Sequence, residues 1–178
     1  RLKVIRQGNL GGSGGFARGM LETVKAEKSR YVLLLDDDIV SEPEGILRAI
    51  AFGDFTRRKT IVGGHMFSMY EKSVLHSFGE KVNPYRFFWG PVAGTGEGHN
   101  FANFSLRTTG WLHRRVDVDY NGWWMCLIPT DIVREIGLSL PVFIKWDDSE
   151  FGLRAKRAGY PTVSLPGAAV WHVPWTDK

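Results

Sequence analysis

The sequence predicts an α/β fold with a sheet flanked by helices, and three observations carry that prediction. Apolar runs at residues 31–35 and 60–67 are short and supplied with β-branched residues, as in strands covered on both faces. Helical periodicities at residues 16–28 and 43–58 alternate with them, the order of a doubly wound sheet. Asp36, Asp37 and Asp38 follow the first run directly, at the carboxyl end where open α/β sheets bind ligands.

The chain has 178 residues, enough for one domain with its own core, and residues 1–178 are expected to form a single segment. A net charge of +4 suits an anionic ligand or a membrane surface and does not imply nucleic acid. No apolar run approaches the roughly 20 residues that span a bilayer, and no signal peptide is visible. The lone Cys126 rules out an internal disulfide and fits a reducing compartment. The sequence starts at Arg1 rather than Met, and a segment of a longer protein is expected.

Residues 2–5 are a strand candidate. Then comes Asn9-Leu10-Gly11-Gly12-Ser13-Gly14-Gly15, with four glycines in five positions. Such a loop permits φ > 0 and close backbone approach, and at the head of a helix it presents free N–H groups to an anion. Its spacing is that of neither a P-loop nor a dinucleotide-binding turn; a flexible connection is the plain alternative. Phe16, Met20 and Val24, four apart, mark the helix at 16–28. In the strand that follows, alternation puts Asp36 and Asp38 on one side and turns Asp37 away. Three adjacent carboxylates are tolerable around a cation or in water. The expectation is a divalent metal that holds a diphosphate. Ser41, with Pro43 in the first turn and Glu44 three residues on, reads as the N-cap of a helix to about Arg58.

Residues 73–80 read as another strand. Residues 84–109 lack a period and read as a loop, either functional or a surface insertion. From 116 to 129 acids alternate with valines, Asn121-Gly122 marks a turn, and an apolar strand opens with Trp123 and Trp124. Adjacent strand side chains point to opposite faces, so one indole enters the core while the other offers a flat face to a sugar or base. Both in the core is the alternative. Thr130 caps a helix ended by Gly137. Asp148 or Ser149 caps the next, with Phe151, Ala155 and Ala158 inward, and Gly159 and Pro161 as the stop. Capping accounts for one acid of Trp146-Asp147-Asp148. A carboxylate held by N–H groups also stays ionised, as a general base must. Short strands at 162–165 and 168–171 flank Pro166-Gly167. His172 after them is either a surface histidine or the completion of an Asp/Asp/His site suited to manganese.

Taken in order, these motifs resemble the inverting, nucleotide-sugar-dependent glycosyltransferases of the GT-A fold, family 2. The shared features are the Gly-rich helix opening, the Asp-x-Asp strand end, and the Trp-Asp-Asp helix start followed by a distal His. The stretches Tyr120-Asn121-Gly122-Trp123-Trp124, Phe143-Ile144-Lys145-Trp146-Asp147-Asp148 and Pro166-Gly167-Ala168-Ala169-Val170-Trp171-His172 are similar to the polymerising galactofuranosyltransferases of actinobacterial cell-wall galactan synthesis.

The resemblance implies a GT-A-type mixed sheet flanked by helices, with Asp36, Asp38 and His172 binding Mn2+ or Mg2+ and Asp148 as the general base. It implies donor or acceptor contacts at Gly11, Gly12, Gly14, Gly15, Asp37, Trp123, Trp124, Trp146, Asp147 and Trp175. Glu80 and Trp89 match less closely, because the loop after Pro84 departs from the family pattern. The implied substrates are UDP-galactofuranose and a growing lipid-linked galactan, joined with inversion in a single displacement. A cytoplasmic location, peripheral contact with the inner face of the plasma membrane and a homo-oligomer belong to the same expectation. The family's opening strand, loop and helix, which hold uracil and ribose, should precede Leu2. The 178-residue chain alone is therefore expected to bind UDP weakly and to have little activity.

Other readings compete. One is a rhamnosyl- or other hexosyltransferase of the same fold. Another is a non-catalytic nucleotide-sugar or glycan-binding module. Paired carboxylates also serve glycosidases, and a phosphoryl-transfer site would want a Lys or Arg fork, which is not evident beside the triplet. The discriminating geometry is convergence of Asp36, Asp38 and His172 on one point, with Asp148 across a cleft.

Overall fold

The computed structural model describes residues 2–174. Its centre is β10 (Thr162–His172), an eleven-residue strand with buried residues on both faces. β10 runs parallel to β3 (Ile61–Ser68) and antiparallel to β2 (Ile39–Ser41) at one end and to β8 (Val116–Val118) at the other. Beyond β3 lie β9 (Cys126–Pro129) and then β1 (Tyr31–Leu34), each antiparallel to its neighbour. The sheet is thus mixed. β1, β3 and β10 share one direction, as a doubly wound order requires, but β9 is inserted against them.

Both faces of this sheet are covered. On one, Val32, Leu34, Cys126 and Ile128 pack with α1 (Gly11–Ala26), α3 (Thr130–Ile136) and α4 (Asp147–Arg157) through Met20, Ile132, Val133, Phe151 and Ala155. On the other, Val62, Met66, Leu127 and Val170 pack under α2 (Pro43–Phe55) through Ala49. The unbroken apolar character of β1 and β9 follows from this double burial, with each such side chain contributing about 1.5–3 kcal/mol. A third cluster, Leu75, Phe78, Leu112, Val116 and Val118, fills the space under β4 (Val74–Ser77) and β8.

Several local expectations are corrected. Residues 2–5 form no strand. The Gly-rich stretch is the first turns of α1, not a loop before it. Tertiary anchoring overrides glycine's poor helix propensity there: an added Cβ on Gly14 would fall 2.2 Å from Leu10 Cβ, so that turn needs its small residue. Ser41 does not cap α2, because it is taken by β2, where it pairs with Val170; Glu42 holds the N-cap position and the helix stops at Phe55. The 84–109 region is not all loop. It contributes β6 (Phe88–Pro91), which pairs with β5 (Glu80–Asn83), and β7 (His99–Asn100) on β4. The strands expected at 162–165 and 168–171 are one strand, with Pro166 and Gly167 in a bulge between Ser164 and Ala169, the place where a strand tolerates proline. Ala158 is exposed rather than inward.

Candidate active site

Four elements end around one cleft of about 360 Å³. The turn between β1 and β2 brings Asp36, Asp37 and Asp38; the end of β10 brings His172; the start of α4 brings Trp146, Asp147 and Asp148; and the 120–124 segment brings Tyr120, Trp123 and Trp124.

The acid triplet lies just past β1 rather than on it, so strand alternation is not what aligns Asp36 with Asp38. Chain reversal does that. β2 begins at Ile39, which pairs with His172, and the pairing carries the preceding turn to the end of β10. His172 Nε2 then lies 2.9 Å from Asp38 Oδ1 and 3.3 Å from Asp36 Oδ2. One ligand atom from each of the three residues falls within 4.8 Å of the others. His172 Nδ1 lies 2.6 Å from the Val173 carbonyl oxygen, which makes Nδ1 the donor and leaves Nε2 facing two carboxylates. Burial opposes charge on this imidazole, but Asp36 and Asp38 outweigh it and raise its proton affinity. Two carboxylates and an imidazole nitrogen converging on one point form a donor set that fits a divalent cation, with the back of the ring held by a carbonyl. Asp37 is exposed at the cleft edge.

Asp148 lines the same cleft. The expected cap is corrected: Trp146 takes the N-cap position at φ +71°, and both aspartates sit inside the first turn, pointing to the cleft. Asp148 Oδ1 accepts a 2.7 Å hydrogen bond from the Ser149 amide. That bond does not keep its pKa low. Burial dominates, Asp147 and Glu80 add repulsion, and the carboxyl is pushed up to about 7. Asp147 is likewise raised by burial, with Asp36 contributing. Five carboxylates thus line the cleft, with Lys145 the one ammonium among its lining residues. A dianionic diphosphate would meet strong repulsion there without a cation.

Trp123 and Trp124 do part to opposite faces, one in the α1/α4 cluster and the other in the α2 cluster. They form a turn before β9 rather than its first residues. Each is 4% exposed, so both are core residues whose edges also reach the cleft. Trp123 meets Phe16 edge-on at 4.9 Å. Trp124 donates from Nε1 to Gly64 O at 2.9 Å. Asn121 is no surface turn residue: it is buried, and its Nδ2 donates to Val163 O.

Trp89 and Trp146 meet edge-on at 4.7 Å on the cleft rim. Glu80 stands behind the cleft, buried, bonded to Ser77 Oγ at 3.0 Å and to Tyr120. Gly12 lines the cleft, whereas Gly11, Gly14 and Gly15 do not. Trp175 lies outside the described residues. Sequence reasoning missed Tyr120, Phe16, Ile144 and Lys145 as lining residues. Only Tyr120 carried a signal, as the aromatic that ends an alternating stretch.

The family described as "Glycosyltransferase like family 2" matches residues 1–177. The chain belongs to that glycosyltransferase family. Among curated relatives, the galactofuranosyltransferase GlfT2 of Mycolicibacterium smegmatis (strain ATCC 700084 / mc(2)155) is 50% identical over 183 residues, covering 100% of this chain and 28% of that protein. GlfT2 of Mycobacterium tuberculosis (strain ATCC 25618 / H37Rv) is 48% identical, covering 100% and 29%. The chain therefore spans under a third of the length of these relatives. Among solved structures, GalNAc-T7 with UDP, GalNAc and Mn2+ superimposes with a TM-score of 0.65 at 11% identity, over 95% of this chain and 31% of that one. A197 from STIV gives 0.52 at 14% identity, over 89% and 65%. At such identities these two establish the fold alone, a mixed sheet flanked by helices. No helix among the described residues is long and apolar enough to cross a membrane.

Proposed function

We propose that this family 2 segment is the catalytic part of a galactofuranosyltransferase, which moves galactofuranose from UDP-galactofuranose to a growing lipid-linked galactan with inversion. The observation that carries this reading is the pairing in one cleft of the Asp36/Asp38/His172 cluster with Asp148, a carboxyl of raised proton affinity. The roughly 50% identity to proteins named galactofuranosyltransferase supports the choice of sugar.

Asp36, Asp38 and His172 would hold Mn2+ or Mg2+, whose role when bound is to offset charge on the diphosphate leaving group. Asp148 takes the proton of the acceptor hydroxyl as that oxygen attacks the anomeric carbon from the face opposite UDP. A base with a pKa near the working pH is suited to this transfer. A single displacement inverts the centre and requires no enzyme nucleophile. Trp89 and Trp146 on the rim offer ring surface to furanose rings, while the buried Trp123 and Trp124 present only their edges to the cleft wall. Contact with the inner face of the plasma membrane belongs to the same proposal, through the lipid-linked acceptor.

The test is a donor panel. The full-length enzyme is given UDP-galactofuranose, UDP-galactopyranose or dTDP-rhamnose with a synthetic oligogalactofuranosyl acceptor, with Mn2+ or with chelator. Transfer of galactofuranose alone, lost with chelator and giving the inverted anomer by NMR, is expected. Transfer of another hexose assigns a different member of the fold, and absence of transfer leaves a binding module.

A further inference from the structure

We infer that Ser13 is a positioning residue for transfer: it clasps the 139–146 strap against the start of α1 and so sets where Asp148 stands in the cleft. This rests on Asp148 being the base.

Ser13 is 1% exposed and spends its polar groups on the strap. Its Oγ accepts from Phe143 N at 3.1 Å, its N–H donates to Phe143 O at 3.3 Å, and its carbonyl accepts from Ser139 Oγ at 3.2 Å. Two residues earlier, Gly11 lies so close that a Cβ there would fall 1.9 Å from Phe143 O.

The strap needs holding. Phe143, Lys145 and Trp146 have φ of 69°, 64° and 71°, a left-handed backbone that side chains other than glycine's adopt at a cost in free energy. Such conformations persist when the surroundings fix them. Apolar burial does little of the fixing, because Phe143 and Ile144 are 52% and 66% exposed. Of the strap's other backbone bonds, Val142 N to Leu140 O and Ile144 N to Val142 O are internal to it, and Glu150 N to Trp146 O joins its far end to α4. Ser13 is what ties it to α1.

The strap leads straight into the site. Ile144, Lys145 and Trp146 line the cleft. The Trp146 carbonyl opens α4 by accepting from Glu150 N and Ser149 Oγ, and Asp148 follows two residues later. Slack at Phe143 would therefore move the base against the acceptor oxygen. The Asp36/Asp38/His172 cluster hangs on β1, β2 and β10 instead, and would not move with it.

The test uses the full-length enzyme. Ser13→Ala should lower kcat by about 10- to 100-fold, the scale of an ångström's misplacement. Its UDP affinity by calorimetry should stay within about threefold. Ser139→Ala removes one of the three bonds and should show a smaller loss of kcat; Ser139→Thr keeps the hydroxyl and should recover it. In native-state hydrogen exchange the Phe143 amide should exchange about tenfold faster in Ser13→Ala. That arm needs no turnover. A wild-type enzyme that transfers no galactofuranose refutes the functional reading, while Phe143 exchange still judges the clasp. Unchanged kcat in Ser13→Ala, unchanged Phe143 exchange, or a parallel loss of kcat and UDP affinity would each overturn the inference. Should Ser13→Ala fail to fold, the Ser139 pair decides: equal kcat in Ser139→Ala and Ser139→Thr would overturn it.

Discussion

His172 pairs with Ile39 across β10 and β2, and this rung places Asp38, one residue before Ile39, 2.9 Å from His172 Nε2. Residues separated by more than a hundred positions meet because a three-residue strand returns antiparallel along the end of the sheet's central strand.

If His172 is the third ligand, its loss should weaken the ion and not the fold's apolar core. His172→Ala should raise the Mn2+ concentration for half-maximal UDP binding by at least about 10-fold. Calorimetric titrations of UDP at graded Mn2+ check this, and an unchanged Mn2+ requirement would remove His172 from the ligand set.

Asp148 gives a pH prediction with a definite sign. With Asp148 as the proposed base, transfer would need the ionised carboxylate, so kcat should rise with pH through about 7, the value to which burial and nearby carboxylates push this group. Glu80 contributes to that rise, so Glu80→Gln should move the limb to lower pH. Stability runs the other way. A folded pKa above the unfolded one gives a contribution that is present in acid and lost as pH climbs through 7. Asp148→Asn should therefore match the wild-type thermal midpoint near pH 4 and exceed it near pH 8, in chelator.

Gly122 tests the packing of the tandem tryptophans. An added Cβ would fall 1.9 Å from the Trp124 ring, which is pinned by its bond to Gly64 O. Gly122→Ala should destabilise by about 1–3 kcal/mol, the cost of overpacking a filled core. Thermal unfolding reads it, and a midpoint equal to wild type would mean that Trp124 is free to swing into the cleft.

What the sequence revealed is what periodicity and punctuation encode. Unbroken apolar runs identified β1 and β9, because double burial removes the polar face. The end of α3 at Gly137 was legible because a left-handed backbone calls for glycine. Long-range pairing was hidden. Ser41 has the local chemistry of a cap, but its pairing with Val170 overrode it. Gly11 to Gly15 read as a loop because glycine's freedom is a local property, while the Phe143 backbone that bonds Ser13 among them lies 130 residues away. In the cleft, the acids and His172 were legible as chemistry. Ile144 and Lys145 were not, because they reach it from a segment in which Phe143, Lys145 and Trp146 hold a backbone that side chains seldom adopt.

The proposed function divides the labour: the acid turn and His172 would hold the donor, and Asp148 would move the proton. The most direct measurement compares Asp38→Ala with Asp148→Ala in the full-length enzyme, by Mn2+-dependent UDP calorimetry and by transfer rate. Asp38→Ala should lose metal-dependent UDP binding. Asp148→Ala should bind UDP as wild type does and transfer about 10²- to 10⁴-fold more slowly. Equal loss of UDP binding in both variants would contradict it.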